Sequence, residues 1–516
     1  MQGRYIDFLT ASSDHLETVL WACILGLVAS YVVTYVTSPL RKFPGPFFAG
    51  WTNLWRMYHV RQGKFEVVVH DLHKKYGPVV RIAPGVVDLD FPELVKTIYN
   101  SKGDYKKTGF YKASSAKANG KIIYNLFSEC NPEEHARQKR PIAKHYSMAG
   151  VLRLEPHIDE MIACLCQRLE EKFFDGLTCD LDQWIRFYTW DVVGKATFSE
   201  PIGYLEKGHD FDKTIAISDT AMDYFAIVAQ LPILDHFLDK NPVYRIGPPS
   251  FGNITTISIQ HLMRRLQARA QDNYQCINHD FLEKFIDAKA QYPDVVDDGQ
   301  IISYLMINMI AGADTTAIAI IAALYYSLKT PGVWKKLQQE IPAQVDSTTI
   351  HPFKSINESP YLNAVVREAM RLHPSVALTL ERSVPAGGLT LPDGRYIPEG
   401  CAVGMNPYIV ARNDTVWGDD PEVFNPGRWL RDASQESDTG YQERLRRMDN
   451  ADLSFGDGSR VCIGKNLALI EIYKVIATLV SRYEVKLVYP DRDWKTHNSF
   501  FVRQSGLEVK LSRRCE

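Results

Sequence analysis

The chain lacks a charge excess, a cysteine framework, an internal repeat and a long linker. Lys and Arg total 59 against 61 Asp and Glu. That balance excludes the basic footprint of a nucleic-acid partner. Nine cysteines are scattered as Cys23, Cys130, Cys164, Cys166, Cys179, Cys276, Cys401, Cys462 and Cys515. Cys164 and Cys166 stand too close for a usual zinc pair, and the pattern suits free thiols in a reducing compartment. A length of 516 residues would allow three domains. With no Gly/Ser or Pro-rich linker to divide it, the chain reads as one large domain, 41–516, behind an N-terminal extension, 1–40. Flavin and nicotinamide motifs are also missing.

Two stretches are nearly bare of charge. Thr18 to Leu40 holds no Asp, Glu, Lys, Arg or His. As a helix it would be about 34 Å long, enough for a hydrocarbon core of about 30 Å. A cleaved secretory signal is the competing reading. It fits poorly, because the apolar run is too long and Asp7, Asp14 and Glu17 precede it against one Arg4. Arg41 and Lys42 follow, with Arg56, Arg61 and Lys64 beyond, which places the bulk of the chain in the cytosol. Pro39, Pro44, Gly45 and Pro46 form a stiff break. The second stretch, Ile301–Leu328, has Asp314 as its only charge. An acid at the centre of a membrane helix is costly. A helix through the core of a large domain, begun by an N-cap at Asp297, fits better.

What is present centres on Phe455-Gly-Asp-Gly-Ser-Arg-Val-Cys-Ile-Gly-Lys-Asn-Leu-Ala468. A cysteine ligates metal as a thiolate and needs surroundings that favour the charged sulfur. Gly456, Gly458 and Gly464 permit positive φ and close approach of backbone N–H groups to an anion. The run from Lys465 has helical spacing, so Cys462 sits before a helix N-terminus. Arg460, two residues away, could neutralise a carboxylate of the same cofactor. A buried free cysteine in a turn is the plain alternative. Yet F-x-x-G-x-R-x-C-x-G arises by chance only about 10⁻⁴ times in such a chain.

The stretch resembles the haem-binding loop of the cytochrome P450 family, whose cysteine thiolate is the axial ligand of the iron. Further motifs agree in order. Ala311-Gly-Ala-Asp-Thr-Thr316 is similar to the family's distal-helix motif. Small Ala311 and Gly312 would leave room for dioxygen, the Thr315 hydroxyl could bond a carbonyl one turn back, and Asp314 could relay protons from solvent. Glu368 and Arg371 form E-x-x-R on one helix face. Pro421–Trp429 resembles the second structural motif, with Arg428 completing a triad whose role would be fold and haem-pocket assembly.

The resemblance implies more. Arg382 matches an arginine set against a haem propionate. His135 and Lys139 stand where the family often has W-x-x-x-R, so the bidentate arginine geometry is lost there. Arg137 and Arg140 could substitute. The same basic helix, Asn131–Ser147, could instead present a solvated face to an acidic reductase. Val376–Leu380, Phe500 and Phe501 would line the substrate pocket with Ala311. Tyr105–Phe127 reads as a loop over the substrate. Thr220–Gln260 would be a mobile lid, with a break between helices at Leu231–Phe237.

Val79–Asp90 reads as two strands around a Pro84-Gly85 turn, followed by a short helix over Pro92–Tyr99. Val151–Lys240 is mostly helical, with core at Leu177–Phe198. Leu430–Leu453 is polar and looks like a variable loop.

The fold implied is mainly α with a small β-rich region, behind one transmembrane helix. The resemblance implies haem b, dioxygen, and electrons from an NADPH-dependent cytochrome P450 reductase. It also implies a single-pass endoplasmic-reticulum membrane protein whose catalytic domain faces the cytosol. The texture is similar to fungal enzymes of specialised metabolism, the pisatin demethylase-like group among them. The expected reaction is oxidation, such as hydroxylation, of an apolar terpenoid, polyketide or alkaloid. Detoxification or O-demethylation of plant defence compounds is the alternative within the fold. An isomerase or dehydratase would not need the Asp314-Thr315 pair, and a haem gas sensor would usually carry an output domain.

Overall fold

The architecture is built around one long helix. Asp298–Lys329 starts where Asp297 Oδ1 accepts the Gln300 N–H at 2.7 Å, so the cap falls at the expected residue. Its second half, Ala317–Leu324, is buried on every side, which settles the choice between a core helix and a second membrane span. Gly312 permits the closest approach, because a Cβ there would meet Val193 Cγ2 at 3.0 Å. The computed structural model describes residues 2–118, 120–247, 251–271, 279–343 and 349–514. Cys276, Cys515 and residues 248–250 of the expected lid lie outside them.

The helices that matter for the site are α1 (Gln2–Thr37), α2 (Pro132–Lys139), α3 (Leu181–Phe198), α4 (Thr214–Val228), α5 (Gly252–Arg269), α6 (Asp298–Lys329), α7 (Pro360–Leu372), α8 (Asp438–Ala451) and α9 (Lys465–Arg482). Around α6 pack α3, α5, α7 and α9. The β-rich side holds β1 (Val79–Ala83), β2 (Val86–Leu89), β3 (Arg382–Ser383) and β4 (Ala402–Gly404), in the order β1-β2-β4-β3. The Pro84-Gly85 turn joins β1 to β2 as expected, and β2 runs parallel to β4 with Val87 opposite Val403. A hairpin of β5 (Lys495–Ser499) and β6 (Phe501–Ser505) leaves Phe500 at its tip.

Four local expectations change. The stretch 105–127 carries a 3-10 turn at Gly109–Ser114 and a hairpin of Ala116–Ala118 with Lys121–Ile123. Both are too short to print a period. Basic helix α2 ends at Lys139, because Pro141 cannot continue it, and Ala143–Tyr146 is a separate 3-10 turn. Within Leu231–Phe237 only Leu231 and Pro232 break the path; Ile233–Phe237 is a short helix. The polar stretch 430–453 contains α8, capped by Ser437 Oγ on the Gly440 N–H at 3.1 Å. Only Met448 and Ala451 of α8 are buried, so its sequence hardly shows a helical stripe.

The apolar span Thr18–Thr37 lies outside the core, with none of it buried. The helix stops at Thr37, short of Leu40. Ser38 Oγ donates to Pro84 O at 2.7 Å, and Leu40 is fully buried in the domain.

Candidate active site

The cysteine loop depends on backbone shapes that side chains resist. Gly456 and Gly458 have φ of 67° and 62°. A Cβ on Gly458 would lie 2.0 Å from Tyr99 O, so no other residue fits. Gly464 behaves differently: its φ is −80° at the N-cap of α9. Its contribution is a backbone N–H directed at sulfur. Burial raises the Cys462 thiol pKa, while the N–H groups of Gly464 and Lys465 and the charge of Lys139 act against that rise. Phe455 O accepts the Cys462 N–H at 2.8 Å and fixes the loop. The Cys462 side chain is open to a cavity of about 900 Å³.

The cavity is also lined by Ala311, Gly312 and Thr315 of α6. Thr315 Oγ1 donates to Ala311 O at 2.7 Å, the back-bond that loosens a helix turn. Ser375 Oγ donates to Thr315 O at 2.9 Å. Asp314 does not line the cavity. Its carboxylate accepts from Trp190 Nε1 at 3.1 Å, Arg186 Nη2 at 3.2 Å and Ser218 Oγ at 3.2 Å. Arg186 also pairs with Asp219 at 2.8 Å. Burial would depress the Arg186 guanidinium, but Asp314 and Asp219 outweigh it and hold it above its ordinary value. Asp314 thus ties α6 to α3 and α4.

One end of the cavity gathers basic side chains: His135, Lys139, Arg382, Arg460 and Lys107. Arg460 Nη1 donates to Glu129 O at 2.8 Å, and its Nη2 is buried with no acceptor. Arg382 Nη1 donates to Glu381 O at 2.8 Å and to the Tyr111 hydroxyl at 3.2 Å. Lys107 Nζ donates to Phe127 O at 2.7 Å and lies 4.3 Å from the centroids of both Tyr111 and Phe127. Burial, then mutual repulsion, pushes Lys107 well below its ordinary pKa, His135 down to about 3 and Arg460 to about 10. Such a cluster with an orphaned donor fits an anionic group, as haem carboxylates would be. Arg137 is turned outward onto Glu134 at 2.7 Å, and neither it nor Arg140 lines the cavity. Sequence reasoning missed Lys107, which sits in a stretch with no usable pattern.

The other end is aromatic and apolar. Val376, Leu380, Phe500 and Phe501 line it, as does Phe225 of α4. Phe500 takes φ of 77°, a left-handed conformation that bulky residues avoid. It is held there by its N–H on Asn498 Oδ1 at 3.1 Å and by ring contacts with Phe127 and Phe225 at 5.4 Å.

Behind the cavity, Glu368 receives both forks of Arg371 at 2.8 Å, Arg428 Nε at 3.3 Å and Trp429 Nε1 at 2.9 Å. Glu368 is fully buried. Two sequence-distant segments, α7 and Pro421–Trp429, thereby share one carboxylate.

A mainly helical body in which a glycine-framed cysteine and a threonine-bearing helix line one cavity is the frame of a haem-thiolate oxygenase. The chain belongs to the cytochrome P450 family, whose model matches residues 44–511. It is similar to cytochrome P450 monooxygenase cfoH of Aspergillus candidus, with 44% identity over 100% of this chain and 96% of that protein. It is also similar to cytochrome P450 monooxygenase vrtE of Penicillium aethiopicum, at 32% over 98% of this chain and 96% of the relative. Cytochrome P450 monooxygenase cicH of Emericella nidulans matches at 34% over 94% of this chain and 96% of its own length. The protein is an oxidoreductase of the monooxygenase type, and the family's cofactor is a haem with thiolate ligation.

Proposed function

We propose that this protein binds haem b through Cys462 and oxidises an apolar small molecule of fungal specialised metabolism, drawing electrons from a membrane-bound NADPH-dependent reductase. The observation that carries the reading is one cavity lined by Cys462, Thr315 and a cluster of basic side chains that have no ion-pair partners among the described residues. Bound there, the haem would supply the activation of dioxygen, which thiolate donation favours. Lys107, His135, Lys139, Arg382 and Arg460 would hold its carboxylates. Phe455 and Gly456 line the cavity beside Cys462 and would face the macrocycle.

Thr315 would serve as a proton donor to the reacting oxygen by turning its hydroxyl away from Ala311 O. Asp314 would enter a proton path only by releasing Arg186. The aromatic end, with Val376, Leu380, Phe500 and Phe501, would exclude water and hold the substrate. The substrate would be an apolar terpenoid, polyketide or alkaloid; the fungal relatives support the oxidase reading and a fungal setting, and the substrate class rests on the resemblance alone. Helix Thr18–Thr37 would anchor the chain in the endoplasmic-reticulum membrane, with the catalytic domain on the cytosolic side, as the following cations suggest.

Two experiments test this. The reduced protein with carbon monoxide should show the red-shifted Soret band of thiolate ligation, and Cys462→Ser should abolish it; a band that survives the substitution overturns the ligand assignment. Comparing metabolites of a strain with and without the gene should show one product lost and its less oxidised precursor accumulating.

A further inference from the structure

Outside the cavity lining, the fold buries another cation that has no ion-pair partner among the described residues. Arg81 on β1 is only 4% exposed, and its Nε and Nη1 find no acceptor. Burial depresses its pKa from the ordinary arginine value, and Tyr35 is the only group that opposes this. Beside it, Trp51 Nε1 is also buried without an acceptor. Both flank one ring. Trp51 stacks on Tyr35 with centroids 4.6 Å apart, and the Arg81 guanidinium lies 5.6 Å from the Tyr35 centroid. Gly50 lets the guanidinium lie flat on the backbone, since a Cβ there would be 2.3 Å from Nη2.

Every unmet atom here is a donor, and the group at the centre is a cation. Such a site takes an anion with several oxygens, and the guanidinium fork matches carboxylate or phosphate. Position chooses between them. Tyr35 is in the last turn of the apolar helix that ends at Thr37. Next to Trp51 stand Phe47 and Phe48, 65% and 66% exposed, with exposed Arg41 and Lys42 just before them. Tyr, Trp and basic residues at the end of an apolar helix mark the headgroup layer, where the abundant anion is phosphate.

We propose that Arg81 and Trp51 form a phosphate site for an anionic phospholipid at the joint between α1 and the catalytic domain. The bound headgroup satisfies the unmet donors of Arg81 and Trp51 beside Tyr35 and so fastens the anchor helix to β1. The proposal rests on α1 being a membrane anchor.

The test uses the full-length, haem-loaded chain in detergent, with phosphatidylserine, phosphatidylcholine or inorganic phosphate added separately, and native mass spectrometry to count what is retained. Flotation on phosphatidylcholine vesicles reports the anchor independently: a wild-type chain that fails to float defeats the anchor reading, whatever the lipid count. Wild type should retain phosphatidylserine in preference to phosphatidylcholine. Arg81→Gln should weaken that retention by about 10–100-fold, the scale of a charge-assisted contact. Trp51→Phe, which keeps the stack on Tyr35, should weaken it several-fold. Arg81→Gln with a normal haem spectrum and undiminished phosphatidylserine overturns the site. If Arg81→Gln loses its haem, undiminished retention in Trp51→Phe overturns it instead. Equal retention with inorganic phosphate competing in excess supports the lipid; displacement by inorganic phosphate overturns the lipid assignment in favour of a free anion.

Discussion

Thr315 shows how one side chain can divide electron flow from product. Its hydroxyl bonds Ala311 O in the resting structure and lines the cavity. Thr315→Ala removes a proton donor but leaves the cysteine loop and the aromatic end in place. Substrate binding should stay near normal and NADPH oxidation should continue. Product per NADPH should fall while hydrogen peroxide rises, within the roughly 10²–10⁴ range of acid–base groups. Unchanged coupling with the true substrate would make the threonine a packing residue. Lys107 offers a complementary test. Without the cofactor it is a buried cation repelled by Arg382 and Arg460. Its folded pKa is depressed, so the unfolded chain binds the proton more tightly. Haem-free stability should therefore rise with pH up to the ordinary lysine value of 10.5. Lys107→Met should stabilise the haem-free form yet speed haem loss to apomyoglobin by about tenfold or more. Faster haem loss without stabilisation would point to a packing defect.

At the scale of elements, two devices hold the cavity walls. The loop from Phe455 to Gly464 is braced by Gly458 against Tyr99 O, where even a methyl group cannot enter. Helix α7 is joined to the segment Pro421–Trp429 through the Glu368 carboxylate, which serves Arg371, Arg428 and Trp429 at once. Removing one partner strands a buried charge. Glu368→Ala and Arg371→Ala should each cost about 3–5 kcal/mol and yield little haem-loaded protein. Ordinary haem content and an unchanged denaturation midpoint in both would show that the triad does not carry the fold.

For the whole molecule, a chain of ion pairs crosses the body from Asp314 through Arg186 and Asp219 to Arg503 of β6. It couples the helix beside the cavity to α4 through Asp219, which directly precedes the stretch 220–260 expected as a lid. If helix Thr18–Thr37 is a membrane anchor, the rest of the chain should fold without it. Deleting residues 2–37 should move the protein toward the soluble fraction with its haem spectrum intact. Residual membrane binding would leave the anchor reading standing, because Phe47 and Phe48 also expose apolar surface. Release of the full-length chain by alkaline carbonate would defeat it. The cut must fall before Leu40, which is fully buried in the domain.

The sequence by itself determined whatever is contiguous or periodic. The cysteine loop was legible because its glycines, arginine and cysteine fall within ten positions, and the turn they make is local. Helix α6 and the exposed apolar helix Thr18–Thr37 were legible because long uncharged runs leave few alternatives. The pairing of β1 with β2 followed from a Pro-Gly turn. Tertiary structure decided the rest, where the partner lies far along the chain. Lys107 comes near Arg382 and Arg460 only after three segments converge, and nothing in its neighbours marks it as part of the cavity. Asp314 has a helix motif that suggests a route to solvent, yet burial against Arg186 and Trp190 turns its carboxylate away from the cavity. Phe500 adopts a glycine-like φ because Asn498 and a ring cluster over-determine it, a cost no propensity reports. Arg81 reads as an ordinary charge on a strand. Only the packing of Tyr35 and Trp51 around it shows a buried cation whose Nε and Nη1 have no acceptor among the described residues.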